Sequence, residues 1–367
     1  MVNVIFILGG VVLKKSLLNI FAIIITALMV CFPALSIAHA KDALKMCYEI
    51  IIPSLFPFFV CSGILVYSGF AKSLSAFSRP IMKPLFNVNE NGAAAFVLGI
   101  ISGYPLGAVT ACQLYEGAYL SKSEAERLLA FCNNSGPLFI LGAVGSAMYK
   151  SPKIGIILYL SHLLSAILVG IIFRFYEKNK FCAPKSQIGT ATELPSEIFS
   201  KVLANSINSI LTVCGAIVFF FTISGIVTGL LPFNQVVGAL LSAILEFTGG
   251  IKKISLLPIP LGLRLSASSF SVGFAGLCVH IQVMSVTARY GLSLKPYILG
   301  KLLHGVFSAI ITYSVFYAFP QPLSAVSTFS ARLSGGFYLG SAYITLAVLI
   351  LVSSAIVLNF PQNKRDT

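Results

Sequence analysis

Long apolar runs separated by short polar segments make up most of the chain. An apolar helix of about 20 residues can cross a hydrocarbon core about 30 Å thick. The pattern predicts eight transmembrane helices, at residues 17–39, 48–70, 93–117, 152–175, 207–231, 267–289, 297–319 and 335–359. Two further apolar pieces, 137–149 and 235–247, are too short to cross and are predicted to be re-entrant or half-helices. The fold class is therefore all-α, a polytopic membrane protein.

The third predicted span, which contains AFVLGIISGYPLGAVTACQLYEG, is interrupted at residues 102–105 by SGYP. A residue before proline is disfavoured in the α region, whereas proline is well tolerated in the first turn of a helix. The pattern predicts that one helix ends near Ser102 and another begins at Pro105. Glycines recur every four residues here and favour close approach of a neighbouring helix or a ligand, at Gly99, Gly103 and Gly107.

The same kind of break recurs in SKSEAERLLAFCNNSGPLFILGAVGSAMY, residues 121–149. Ser121 and Glu124 form a candidate capping box, which opens an amphipathic helix to about Cys132. Residues 133–136 interrupt that helix, and Pro137 is predicted to start the next piece. The first half of the chain thus contains two helix N-termini inside apolar sequence.

Irregular backbone inside a bilayer survives only where protein or a water-filled cavity covers it, so these breaks are predicted to line a polar site. Free N–H groups at helix starts suit an anionic group such as a carboxylate. In the second half, LGLRLSASSFSVGFAGLCVHIQ at 261–282 is the counterpart, rich in small and hydroxylated residues. The candidate substrate-binding residues are Ser102, Gly103, Tyr104, Asn133, Asn134, Ser135, Gly136, Ser268, Ser269 and Gln282.

Three charged residues are candidates for anion binding or ion coupling. Arg264 could hold an anion bidentately, although a snorkelling position at the membrane interface is the alternative. Glu116 and Glu246 are candidate coupling residues, with the same interfacial alternative because each ends an apolar piece. The chain has only two aspartates, Asp42 and Asp366, and neither lies within a predicted span.

Composition and charge agree with a membrane protein. The chain is 57% apolar and only 10% charged, with a formal net charge of +14. Its 25 Lys and Arg residues are spread over the loops, which indicates membrane topology rather than nucleic-acid binding. With eight crossings both termini are predicted to be cytoplasmic. Several basic residues fit this scheme poorly, namely Lys122, Arg127, Lys252, Lys253 and Arg332.

A polar interval divides the chain into two halves that show a weak internal repeat. FFVCSGILV from Phe58 matches FFTISGIVT from Phe220 at an offset of 162, and FVLG from Phe96 matches FSVG from Phe270 at an offset of 174. Four crossings in each half predict parallel rather than inverted repeats. The predicted divisions are an N-terminal segment with the first helix (1–44), a first repeat (45–175), a cytoplasmic linker (176–206), a second repeat (207–359) and a tail (360–367).

The sequence carries no set of residues that indicates catalysis, a cofactor or a metal. His162, His280 and His304 do not form a metal-binding motif and are predicted to be helix-packing residues. The eight cysteines lack a CxxC pair and lie mostly in predicted spans, which is typical of small buried apolar residues. No phosphate-binding loop is present, so transport would be passive, ion-coupled or driven by a partner.

The motifs PSLFPFFVCSGIL, SGYPLGA, EAERLLAFCNNSGPLFILGAVG and SVGFAGLCVHIQV resemble a known family. They are similar to sporulation integral membrane proteins of the YlbJ (SpoVV) type, in the nucleoside-recognition or gate domain superfamily. The resemblance covers residues 45 to 355. One difference is Phe274-Ala275-Gly276, where the family is expected to have two consecutive glycines, so close backbone approach at Ala275 is less favoured.

The resemblance implies an endospore-forming bacterium and a multi-pass protein of the outer forespore membrane. It further implies transport of dipicolinic acid, a small planar dianion, from the mother cell toward the spore. A nucleoside-like solute is the first alternative, and a non-transporting assembly factor for spore cortex or coat is the second. The predicted partners are the lipid bilayer, the anionic solute, and either further copies of the chain or other sporulation membrane proteins, but not nucleic acid.

Overall fold

The computed structural model describes residues 19–67, 78–177 and 195–318, and within those ranges the chain is helical with no strand. The predicted span at 335–359, the tail and most of the central linker lie outside the described residues. So does Cys182, while the other seven cysteines are free thiols.

Fourteen helices and short connecting turns make up the described residues. The first half contains α1 (Asn19–Cys31), α2 (Pro33–Met46), α3 (Ile52–Tyr67), α4 (Ala93–Ser102), α5 (Leu106–Glu116), α6 (Lys122–Cys132), α7 (Leu138–Met148, π-helical) and α8 (Pro152–Phe173). The second half contains α9 (Pro195–Leu230), α10 (Gln235–Leu245), α11 (Phe247–Ser255), α12 (Leu261–Phe274), α13 (Gly276–Thr287) and α14 (Lys295–Ala318).

Four helices in the described residues are long and apolar enough to cross a bilayer: Pro152–Phe173, Pro195–Leu230, Leu261–Tyr290 and Lys295–Ala318. They correspond to four of the predicted spans. The first predicted span, 17–39, is not straight, because α1 meets the helix Pro33–Ile51 at an angle of 102°. The pair makes a fifth candidate span if it is counted as one. The fold is thus that of a multi-pass membrane protein.

Helices α2 and α3, joined by a π-helical turn (Cys47–Ile51), run antiparallel to α9. Leu35 lies against Gly229 near one end of α9, and Gly63 lies against Val202 near the other. At 36 residues, α9 is about 54 Å long and extends well beyond a bilayer core. This long pair forms one wall of the molecule, beside the broken helices.

One end of the molecule, called the lower end here, is defined by hydrogen bonds among loops. Asn89 N donates to Glu124 Oε1 at 3.0 Å, and Asn87 Nδ2 donates to the Arg174 carbonyl at 3.2 Å. Ser293 N donates to Glu126 Oε1 at 2.7 Å. The residues that precede α4, α6 and α14, and those that follow α8, therefore lie together.

The expectation that residues 93–117 cross the membrane is wrong. Helix α4 leaves the lower end and α5 returns to it. Asn89, which precedes α4, donates to Glu124 in the first turn of α6, the helix that follows α5. Gly99 and Gly107 face each other across this sharp reversal. The helix end at Ser102 and the new helix from Leu106 confirm the predicted break, but the break is the tip of a re-entrant hairpin.

Helices α6 and α7 together form a crossing that is broken halfway. The capping box of Ser121 and Glu124 and the break after Cys132 are as predicted. Residues 123–132 are all buried, so the predicted amphipathic helix has no exposed face. Helix α7 continues to the opposite end, the upper end, where Gly145 packs on Gly155 at the start of α8. The piece 137–149 is therefore a half-helix, the upper half of a crossing, which is one of the two predicted alternatives.

The second half repeats the order of hairpin, broken crossing and long helix. Helices α10 and α11 form a tight hairpin, because a side chain at Gly250 would overlap the backbone of Ala243. Helices α12 and α13 form a crossing that breaks at Ala275 and Gly276, both in the left-handed region. Helix α14 then runs antiparallel to α12, with Gly273 against Gly305.

The two halves run in opposite directions, which corrects the expectation of parallel repeats. Tyr149 before α8 donates to the Arg264 carbonyl of α12 at 3.1 Å, and Arg264 donates to the Ser255 carbonyl at the end of α11 at 2.7 Å. The α10–α11 hairpin thus enters from the upper end, whereas the α4–α5 hairpin enters from the lower end. His162 of α8 and His304 of α14 stack at 4.3 Å between ring centroids, at matching positions in the two halves.

In the structure, a residue of the first half corresponds to the residue 142 positions later in the second half. His162 corresponds to His304 in this way, and Asn133 at the first break corresponds to Ala275 at the second. The offset of 162 at Phe58 and Phe220 agrees with the pairing of α3 with α9. The offset of 174 does not agree with the structure, because it pairs Phe96 in the α4–α5 hairpin with Phe270 in the α12–α13 crossing. A longer segment between α3 and α4 than between α9 and α10 accounts for the shift from 162 to 142.

Cysteine labelling of intact membranes tests this topology. In a cysteine-free background, Lys122→Cys and Lys295→Cys are expected to react with an impermeant maleimide from one side. Lys150→Cys and Lys252→Cys are expected to react only from the other side. All four lysines are exposed. Labelling of positions 122 and 150 from the same side would restore a crossing at 93–117 and contradict the hairpin.

Candidate functional site

The two hairpin tips and the two broken crossings meet around a small, partly open cavity. Gly103 and Tyr104 at the first tip line it, as do Phe247 and Thr248 at the second tip. Apolar side chains from the π-helical turn, α3 and α9 close its other side: Ile51, Leu55, Val213 and Ile217. The cavity therefore lies between the broken helices of both halves and the long-helix wall, at the level of the two breaks.

On the first-half side, glycines allow backbone to pack on backbone. Gly103 has a φ of +86°, and a Cβ there would stand 2.9 Å from the amide nitrogen of Gly136. The tip of the first hairpin thus rests directly on the break between α6 and α7. Only glycine can adopt this φ at position 103 without strain and also leave room for the Gly136 backbone.

The second-half side has the same arrangement with different chemistry. Glu246 forms the tip of the second hairpin and caps α11, accepting from Thr248 N at 2.8 Å and Gly249 N at 2.7 Å. The tip rests on the α12–α13 break, where Gly276 has a φ of +67°. Ala275 is buried with a φ of +74°, a backbone conformation that favours glycine. Alanine in place of the expected glycine is therefore disfavoured at this position by its backbone conformation.

Five of the predicted binding residues line the cavity: Gly103, Tyr104, Ser135, Gly136 and Gln282. Gln282 lies on α13, and its Oε1 is buried without a hydrogen-bond partner. Tyr104 donates its hydroxyl hydrogen to the Val272 carbonyl at 2.6 Å and so joins the first hairpin to the second half. The structure thus brings predicted residues from both halves to one cavity.

Three more predicted residues lie directly behind the cavity wall and are buried: Ser102, Asn133 and Asn134. Asn134 Nδ2 donates to the Phe131 carbonyl at 2.9 Å and caps the end of α6. Ser102 precedes the first tip, and its hydroxyl has no partner. These residues shape the breaks and do not line the cavity.

The remaining candidates lie elsewhere, which corrects their assignment to one site. Ser269 bonds Ser308 at 2.6 Å in the α12–α14 interface, and Ser268 bonds Tyr149 at 2.8 Å toward the upper end. Arg264 is held by the Ser255 carbonyl at the upper end. Glu116 is exposed at the lower end, 3.3 Å from the Tyr290 hydroxyl. Ser268 and Ser269 were assigned to the site because they lie on α12, but the cavity is lined by residues of α13, after the C-terminal end of α12.

Sequence reasoning missed a buried polar cluster behind the first break. Lys301 is fully buried and donates to the Asn133 carbonyl at 3.0 Å. His162 and His304, predicted to be packing residues, belong to the same hydrogen-bonded cluster. Lys301 and His304 lie three residues apart inside an apolar span, and that spacing was the available signal.

The described residues that line the cavity include no charged side chain. Three helices begin at its wall without a side-chain cap: α5 at Pro105, α7 at Pro137 and α13 at Ala275. The positive dipole ends of these three helices carry no side-chain cap, whereas the start of α11 is capped by Glu246. The cavity therefore suits a small ligand with an apolar body and a negatively charged edge.

The fold and this cavity define an integral membrane protein of the multi-pass, all-α class. In a search of known proteins, the sporulation integral membrane protein YlbJ of Bacillus subtilis (strain 168) is 29% identical to the chain over 334 residues. The match covers 81% of this chain and 82% of that protein. It supports the resemblance to sporulation integral membrane proteins of the YlbJ type. No protein-family model matches the chain, and no solved structure shows significant similarity.

Proposed function

We propose that the protein is a transporter that moves a small organic anion across the membrane. The observation that carries this proposal is the meeting of two oppositely oriented hairpins and two broken crossings at one cavity. Transporters with inverted repeats hold their substrates in this way, between discontinuous helices near the midplane. The two halves would be gate-like repeats that exchange access between the lower and upper ends.

The cavity chemistry supports an anion with an aromatic or apolar body. Uncapped helix starts at α5, α7 and α13 offer N–H groups and positive dipole ends to carboxylates. Phe139, Phe247 and apolar residues of α9 offer surface to a ring.

Dipicolinate is the substrate that this chemistry and the resemblance favour together. It is a planar ring with two carboxylates, and the family resemblance connects such proteins with its delivery to the spore. The proposed location is accordingly the outer forespore membrane, with transport directed out of the mother-cell cytoplasm. No catalytic step is proposed.

Flux of labelled dipicolinate into proteoliposomes tests the function. Gln282→Leu is expected to lower the flux about tenfold or more, because Nε2, which donates one hydrogen to Cys278 Sγ, would no longer donate the other to a carboxylate. Loss of a hydrogen bond to a charged group costs about 1.5–3 kcal/mol. Ser209→Ala is the matched control, since this α9 hydroxyl is outside the cavity lining and bonds its own helix at Asn205. Equal flux in Gln282→Leu and wild-type liposomes would place the substrate elsewhere.

The two alternatives make different predictions in the same assay. A nucleoside transporter would show nucleoside uptake that dipicolinate does not inhibit. A non-transporting assembly factor would show no flux of either solute in folded protein, and sporulation would survive Gln282→Leu but fail after changes in the linker at 176–206. Saturable dipicolinate flux that nucleosides do not inhibit would exclude both.

A further inference from the structure

The hydrogen bonds of the buried Lys301 cluster define the states of its two histidines when Lys301 is an ammonium. An ammonium group only donates, so the Lys301 contact at 3.3 Å makes His304 Nδ1 an acceptor. His304 Nε2 then carries the hydrogen and donates to the His162 carbonyl at 3.0 Å. His162 Nε2 accepts from Ser135 N at 3.1 Å. With Lys301 as an ammonium, both histidines are neutral and Lys301 carries the single positive charge of the cluster.

That charge has no acidic partner among the described residues. The ion pair found there, Lys45 with Glu49, is on the surface and elsewhere in the molecule. The oxygen ligand of Lys301 is the Asn133 carbonyl, just past the C-terminal end of α6, where the helix dipole is negative. A buried ammonium without a counter-charge is costly, and such groups inside membranes usually mark a functional site.

The cluster is separated from the cavity by one aromatic ring. Lys301 Nζ lies 5.2 Å from the centroid of the Tyr104 ring, and Tyr104 lines the cavity. Ser135, whose N–H is held by His162, also lines the cavity at the break before α7. An anion bound at this break would therefore lie near the ammonium, in surroundings that screen charge poorly.

We propose that Lys301 is the fixed cation that makes the cavity select carboxylate anions, and dicarboxylates over monocarboxylates. It acts across Tyr104 and also holds the break in shape through Asn133. This inference rests on the proposed function and deepens it. The ammonium, tethered to α14, would balance one of the two negative charges of a dicarboxylate.

Binding of three probes of nearly the same shape tests the inference. They are dipicolinate, its monoamide and its diamide, with charges of −2, −1 and 0, measured on purified full-length protein in nanodiscs. Wild-type affinity is expected to rise about tenfold for each added charge, the effect of a unit charge about 10 Å away at an effective dielectric near 20. Lys301→Met, of similar length, is expected to lose most of this rise and to keep only the weaker preference for charge that the uncapped helix starts supply.

Arg264→Met is the matched control, because it removes a cation held at the upper end. It is expected to keep the wild-type ranking of the three probes. A merely structural role for Lys301 would weaken all three probes equally and leave the ranking intact, which would overturn the inference.

The wild-type series can still overturn the inference if Lys301→Met does not fold. Equal wild-type affinity for the dianion and the diamide would overturn the role of Lys301 and leave a solute site in place. No binding of any probe by folded wild-type protein would instead remove the proposed function itself, and the inference with it.

Discussion

Replacing Gly99 by alanine is expected to prevent accumulation of folded protein. Gly99 on α4 and Gly107 on α5 both face the carbonyl oxygen of Cys132 at the end of α6, and a Cβ at Gly99 would overlap that oxygen. The obstacle is backbone on a buried helix, so no side-chain rotation can relieve it. Overpacked cores typically lose about 1–3 kcal/mol, and a rigid overlap of this kind belongs at or beyond the upper end.

The measurement is the yield of monodisperse protein in detergent and its thermal midpoint. Gly215→Ala is the matched control, since Gly215 is also a helical glycine but a Cβ there meets nothing within 4 Å. That change is expected to be neutral or to stabilise by up to about 1 kcal/mol, through the higher helix propensity of alanine. A Gly99→Ala protein with a normal yield and melting point would show that the first hairpin does not pack tightly on the Cys132 carbonyl.

The breaks in the helices could be predicted from the sequence because their signals are local. The proline after Tyr104, the capping box at Ser121 and the polar run after Cys132 each act on the backbone within a few residues. The structure has helix ends at all three places. Five of ten candidate residues also reach one cavity, because the breaks that contain most of them meet there.

The direction of each helix after its break could not be predicted in the same way. Length and hydropathy are the same for a straight crossing and for a hairpin folded at its middle, so residues 93–117 were counted as one span. The hydrogen bond between Asn89 and Glu124 that distinguishes them is a tertiary contact. The error in this one span also reversed the predicted relation of the halves, from inverted to parallel.

The hairpin also changes how the basic residues are explained. Lys122 and Arg127 fitted the predicted topology poorly, yet Arg127 donates to the Tyr176 carbonyl at 2.8 Å at the lower end. They therefore lie beside Arg174 and Arg289, which were assigned to the cytoplasm. With 93–117 as a hairpin, these two residues follow the positive-inside rule. Lys252 and Lys253, near the upper end, still do not.

Glu246→Ala is expected to reduce transport at least tenfold. The Glu246 carboxylate holds two buried N–H groups at the start of α11, and each would lose its partner. A buried donor left unpaired costs about 1–3 kcal/mol, which is enough to unwind a first turn. That turn carries Phe247 and Thr248, the second-half tip residues of the cavity wall. The expected loss is therefore local, with a smaller change in the thermal midpoint than in dipicolinate flux.

Asn234→Ala is the matched control, because Asn234 caps the other arm of the same hairpin from an exposed position at its outer end. It is expected to cost about 1 kcal/mol of stability and to leave flux unchanged. Glu246→Gln separates capping from ion coupling, the other role considered for this residue. Glutamine keeps one acceptor oxygen and should retain part of the flux if Glu246 is a cap. Complete loss of flux at an unchanged melting point would show that the charge itself takes part in transport.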